Sequence, residues 1–314
     1  MCITLFFLSK ITNIFQICYN ILIGDFMDGV IIVNKEKDYT SRDVVNIISK
    51  KFNIKKVGHT GTLDPLATGV LVICLGKMTK LVEIITSYSK EYEAEIILGT
   101  CTDTYDITGT ILKEEKAIKT EEEIKEALKH FTKTYNQEVP IYSAVKVNGK
   151  KLYEYAREGK EVILPKKEVT IHLLELIENI KYEKDKTIFK IKCNVSKGTY
   201  IRSLIRDIAN HLSTVGTMSK LERTTQGNFS IKDSYTLEQI KNNDYKFIDI
   251  NRVLNKYKKI TADEYLKNRI KNGSILENRY KEKIILFEDE NKKPLALYKV
   301  YNKDNTKIKP YKML

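Results

Sequence analysis

The chain has 314 residues, of which 42% are hydrophobic and 30% charged, and its 54 Lys and Arg against 41 Asp and Glu give a net charge of +13. That balance excludes a disordered or fibrous chain and suits two domains of ordinary size. Five scattered cysteines (Cys2, Cys18, Cys74, Cys101, Cys193) with no Cys-x-x-Cys pair exclude a disulfide framework and a zinc knuckle, and point to a reducing, cytoplasmic setting. The basic excess calls for an anionic partner, nucleic acid first and an anionic membrane surface second. Much of it is concentrated in residues 256–314, which hold 16 Lys and Arg against 8 Asp and Glu.

The first 26 residues are apolar in two pieces, 3–8 and 14–23, interrupted by Ser9, Lys10, Thr12 and Asn13. Neither piece reaches the roughly 18 residues of a membrane span. A secretory signal would need a basic stretch before its apolar run and a small-residue cleavage site after it, and the chain has neither. Met27 opens a cleaner start, so residues 1–26 are expected to be an upstream extension.

Residues 29–33 read as a short buried strand, and Thr40 or Ser41 caps a helix beginning there. Residues 58–69 form a loop dense in glycine and hydroxyls. The continuous apolar run 70–75 fits a strand buried on both faces. Residues 92–98 alternate as a strand, and 121–131 have helical spacing. Residues 142–147 read as a strand entering a tight turn at Asn148-Gly149. A helix is expected at 151–157, strands at 169–179 and 188–195, and a helix at 202–212. The text turns polar at 242–257, which places a domain boundary near residue 250. A short helix at 261–271 and strands at 284–287 and 295–300 follow. The mixture, without a strict β-α-β rhythm, predicts an α+β fold.

The densest chemical signal is Gly58-His59-Thr60-Gly61-Thr62-Leu63-Asp64-Pro65-Leu66-Ala67-Thr68-Gly69. It matches neither phosphate-binding glycine pattern, since Gly76-Lys77 is followed by Met78 and lacks the upstream glycine. Taken alone, Asp64-Pro65 reads as a helix cap with proline at the first helical position. Three functions stay open at this point: an RNA-modifying enzyme, a non-catalytic RNA binder, and a membrane-surface protein using the apolar amino terminus and the basic tail.

This loop, taken with five further blocks, resembles the bacterial tRNA pseudouridine-55 synthases. The blocks run in order across residues 28–240: Lys90-Glu91-Tyr92; Gly99-Thr100-Cys101-Thr102-Asp103-Thr104-Tyr105-Asp106; Pro140-Ile141-Tyr142-Ser143-Ala144-Val145-Lys146 with Gly149 to Arg157; Ser196-Lys197-Gly198-Thr199-Tyr200-Ile201-Arg202-Ser203; and Leu221-Glu222-Arg223-Thr224. One block departs from the family pattern. Where the family carries Lys-Pro-x-Gly-x-Thr-Ser, this chain has Lys35-Glu36-Lys37-Asp38-Tyr39-Thr40-Ser41, which puts the local turn geometry in question.

The resemblance implies a pseudouridine synthase core with a mixed, mostly antiparallel sheet flanked by helices over residues 27–250. A small β-rich PUA-like RNA-binding domain would follow over 251–314. It implies isomerisation of uridine 55 in the tRNA T-arm loop, without cofactor or metal, by a chain taken as a cytoplasmic monomer that does not use a membrane. By the same resemblance Asp64 is the catalytic aspartate, Arg202, delivered at a strand end by Gly198-Thr199-Tyr200-Ile201, its cationic partner, and Tyr92 the residue that stacks on the base and takes the final proton. His59 would assist base flipping and Leu221 would pack the uracil. Thr60, Gly61, Tyr200 and Lys35 complete the substrate contacts. Lys55, Lys56, Lys146, Lys150 and the basic tail are suited to phosphates.

Overall fold

Residues 28–314 are described by the computed structural model, and the extension expected at 1–26 lies outside the described residues. A ten-stranded sheet dominates the first part of the chain. Its main path runs Gly29–Lys35, Thr68–Leu75, Gly216–Gln226, Lys90–Leu98, Lys186–Val195, Lys166–Leu176 and Thr134–Glu138. Neighbours are antiparallel except Gly216–Gln226, which pairs in parallel with Thr68–Leu75. The sheet is therefore mixed and mostly antiparallel, as expected.

Local chemistry sets these elements. Thr40 caps helix Ser41–Phe52: its hydroxyl accepts from the Asp43 amide while the Asp43 carboxylate accepts from the Thr40 amide, so two otherwise orphaned donors are satisfied. Thr120 and Glu123 repeat the device at helix Glu121–Phe131. Strand Thr68–Leu75 is apolar along its length because both faces are covered. Ile73 and Leu75 face Val44, Val45, Ile48, Leu204 and Ile205 from the helices, whereas Val70 and Val72 face the opposite cluster.

That opposite cluster joins the two parts of the chain. Val30, Ile32, Val70 and Val72 pack with Val253, Leu254, Leu286 and Leu297. The last two belong to a second, five-stranded sheet ordered Lys258–Thr261, Ile284–Glu288, Pro294–Tyr301, Asp304–Met313 and Leu276–Glu277. Helix Glu264–Lys271 starts at Asp263, whose carboxylate accepts from the Leu266 amide at 2.7 Å.

Three expectations are corrected. Residues 142–147 are not one strand: only Lys146–Val147 pairs, with Lys150–Lys151, because the Tyr142 carbonyl is taken up by Arg202 instead of a ladder. Asp64-Pro65 starts a turn closed by the Ala67 amide on the Asp64 carbonyl, and no helix follows. Arg202 lies in the first turn of helix Ile201–His211 and not at a strand end. The strands Gly216–Gln226 and Asp304–Met313 were not anticipated from sequence.

Candidate active site

Asp64 rises from the loop between Val57–His59 and Thr68–Leu75, and the loop is fastened on both sides of it. The Leu63 amide donates to Ser41 Oγ at 2.8 Å, and Ser41 Oγ donates back to the Leu63 carbonyl at 3.2 Å. On the other side, the Pro65 carbonyl accepts from the Asp38 amide at 2.9 Å and from Lys35 Nζ at 3.3 Å. Asp38 stands where the family pattern has glycine, and it adopts the left-handed conformation that glycine would supply, φ 70°. The departure noted in the sequence therefore keeps the turn.

Arg202 grips Asp64 with two nitrogens: Nε lies 2.9 Å from Oδ2, and Nη2 donates to Oδ1 at 3.1 Å. Two more of its five donors go to the carbonyls of Thr104 (2.9 Å) and Tyr142 (3.1 Å), and Asp106 stands 3.9 Å from Nε. A guanidinium held at four points presents a fixed fork, which fixes the direction of the carboxylate. The Asp64 side chain stays 34% exposed while that of Arg202 is only 7% exposed, so the aspartate faces outward and the arginine backs it.

The helix that carries Arg202 is set by a buried amide. Gln137 Oε1 accepts from the Tyr200 amide at 2.8 Å, and Gln137 Nε2 donates to the Tyr200 carbonyl at 3.2 Å. Tyr200 is the residue preceding the helix, and burial pushes its hydroxyl pKa up.

Asp64 opens into a cavity of about 360 Å³ lined also by Gly61, Lys90, Tyr92, Tyr200, Leu221 and Arg223. This falls in the range of small-molecule sites. Tyr92 and Arg223 are directly paired across adjacent strands, and the Arg223 guanidinium sits 6.0 Å from the Tyr92 ring centroid. Leu221, two residues before Arg223, belongs to the same face. The result is an aromatic ring and an aliphatic side chain facing a fixed carboxylate.

Several predicted residues serve the loop more than the cavity. Thr60 is fully buried: its hydroxyl donates to Gln226 Oε1 and its carbonyl accepts from Gln226 Nε2, at 3.1 and 2.9 Å. Lys35 is also fully buried, donates to the carbonyls of Glu36, Tyr39 and Pro65, and does not line the cavity. Gly61 lines it, and its carbonyl accepts from Arg223 Nη2. Gly69 has φ 96°, and a Cβ there would collide with the Arg223 backbone, so the loop closes only with glycine. His59 is half-buried beside the cavity wall, with Nδ1 accepting from the Gly61 amide at 3.4 Å. Burial, then Arg42 and Arg223, hold its pKa below the ordinary value, so the ring is neutral at pH 7. Lys55, Lys56 and Lys146 are exposed, and Lys150 pairs with Glu158 over the Tyr155 ring.

A family profile described as "TruB family pseudouridylate synthase (N terminal domain)" matches residues 49–201, and one described as "tRNA pseudouridylate synthase B C-terminal domain" matches 202–271. A protein named tRNA pseudouridine synthase B from Clostridium tetani is 47% identical over 263 residues, covering 82% of this chain and 89% of that protein. The chain belongs to the TruB family of pseudouridylate synthases. A protein of the same name from Bacillus cytotoxicus is 40% identical over 299 residues, 92% of this chain and 97% of that protein. Among solved structures, a chain of a Cbf5-Nop10-Gar1 complex shares the fold with a TM-score of 0.65 at 24% identity, covering 87% of this chain and 78% of that one.

Within this TruB-family site, the sequence blocks contained Lys90, Asp106, Tyr142, Lys197 and Arg223, yet no role was assigned to them. Arg223 was within reach: a charged residue two positions from an apolar pocket residue, in a strand, shares its face. Lys90 carried the same signal, two positions before Tyr92 on the alternating strand Lys90–Leu98.

Proposed function

We propose that this chain converts uridine 55 in the T-arm loop of tRNA to pseudouridine. The observation that carries the reading is the two-point grip of Arg202 on an outward-facing Asp64, opposite Tyr92 and Leu221 in a cavity sized for one nucleotide base. The reaction breaks the N1–C1′ bond of uridine, turns the uracil, joins C5 to C1′ and moves the C5 proton to solvent while N1 gains one. Asp64 acts either as the nucleophile at C1′ or as the base that takes a C2′ proton. Tyr92 offers its ring to the uracil and its hydroxyl to the C5 proton. A base inside a stacked loop must leave the stack first, and the neutral His59 is placed beside the cavity to hold the opened loop without competing for phosphate.

The C-terminal sheet and its basic residues extend the contact along the RNA, in the manner of a PUA-like domain spanning 251–314 behind a catalytic domain of 27–250. The enzyme works as a cytoplasmic monomer. Among the described residues, no helix is long and apolar enough to cross a membrane. The test is pseudouridine mapping by carbodiimide modification and primer extension on an unmodified tRNA transcript. A stop at position 55 with wild type and none with Asp64→Asn supports the reading. Binding by both proteins with no stop from either overturns it.

A further inference from the structure

One wall of the cavity carries positive charge that no carboxylate answers. Asp64 is the only acid among its lining residues and is taken by Arg202, which leaves Lys90, Lys197 and Arg223. Lys90 is 6% exposed, and its Nζ donates to the carbonyls of Thr86 (2.9 Å) and Tyr88 (2.7 Å), so one of its three N–H groups is left over. Lys197 and Lys167 lie near enough to repel its charge. Neither of these exposed lysines makes an ion pair among the described residues; Glu83, the carboxylate that feels Lys197, is held by Lys312 at 2.8 Å.

Gly198 brings Lys167 to this wall. It lies between Lys197 and Thr199 on the cavity lining with φ 86°, and a Cβ there would overlap the Lys167 ammonium. A bare backbone at 198 is thus what lets Lys167, from another strand, reach over the turn. Like charges gathered without a counter-charge favour an anion. The arrangement presents a buried ammonium at the base, two exposed lysines beside it, and an arginine behind.

We propose that Lys90, Lys167 and Lys197 form a clamp for the phosphodiester adjoining the target nucleotide, a subsite that rests on the RNA-isomerase reading above. The clamp selects a polynucleotide over a free nucleoside and fixes the strand on one side of Asp64 while the base turns.

The test uses the full chain, as wild type and as Lys167→Gln/Lys197→Gln, with a T-arm stem-loop RNA. The RNA is either unmodified or carries one uncharged methylphosphonate on the 5′ or the 3′ side of the target uridine. At one of the two positions, the wild type should lose about tenfold in affinity, and the double variant should lose as much on unmodified RNA. Combining the two should then cost nothing more. The double variant should also show a shallower dependence of affinity on salt. If its losses multiply with those of the methylphosphonate at both positions, the clamp is overturned. Pseudouridine formation in the unmodified RNA is read in parallel. Its absence with wild type counts against the functional reading and takes the clamp with it, whereas isomerisation with multiplying losses counts against the clamp alone.

Discussion

The backbone amide of Asp38 donates to the carbonyl of Pro65 at 2.9 Å, and so a turn in the first strand's exit loop holds the residue after the candidate catalytic aspartate. Asp38 does this at φ 70°, a conformation that costs an L-residue free energy and glycine almost none. Asp38→Gly should therefore keep the bond and stabilise the protein by about 0.5–1 kcal/mol. A urea titration that gives an equal or lower midpoint at unchanged slope contradicts this.

Arg202→Lys keeps a positive charge but cannot reproduce a planar fork with four partners. Asp64 would lose its fixed direction while remaining in place. The expected result is a fall in kcat of about a hundredfold, with tRNA affinity within a few-fold of wild type. Single-turnover kinetics beside a filter-binding titration separates the two quantities, and an equal fall in both would assign Arg202 to binding.

Tyr92 offers a ring and a hydroxyl, and two substitutions divide them. Tyr92→Phe retains the ring and should lower kcat by about a hundredfold with KM little changed. Tyr92→Leu also removes the stacking platform and should raise KM by about tenfold as well. Identical kinetics for the two variants would remove the hydroxyl from the mechanism.

Two buried lysines make stability depend on alkaline pH. Burial is the main cause that lowers both Lys35 and Lys90 to about 8. Above that pH the folded protein sheds two protons that the unfolded chain still holds, so the unfolded state binds more protons and stability rises with pH. The window closes near pH 9. There the thiols of Cys74 and Cys193, pushed up to about 12 by burial, begin to favour the unfolded state, in which they ionise first. Tm should rise between pH 8 and 9, and calorimetry showing a fall across that interval contradicts the assignment.

Legibility in the sequence followed chemistry. Helices with hydroxyl caps and carboxylates three residues on, at Thr40 and Thr120, were readable to within a residue or two. So was the apolar strand Thr68–Leu75, since its burial on both faces leaves an unbroken apolar run. The central strand Gly216–Gln226 was not, because Thr217, Ser219, Arg223 and Gln226 fill buried positions with polar groups and erase the alternation. Their partners come from segments distant in sequence: Gln226 reaches Thr60 and Ile85, and Arg223 reaches Val70 and Gly61. Asp304–Met313 was hidden by Pro310, which sits near a register shift against Leu297 and Tyr298. Asp64, Tyr92 and Arg202 were legible only through the blocks they belong to, since no periodicity distinguishes them from other residues of their kind.

The shared apolar cluster also bears on synthesis. Val30, Ile32, Val70 and Val72 leave the ribosome early, yet Val253, Leu254, Leu286 and Leu297, which cover them, are translated late. Leu81, Ile84 and Ile85 cover part of that face early, and the rest stays open through much of elongation, the kind of surface that recruits chaperones or a wrong neighbour. The sheet face is fully covered only once the C-terminal sheet has emerged.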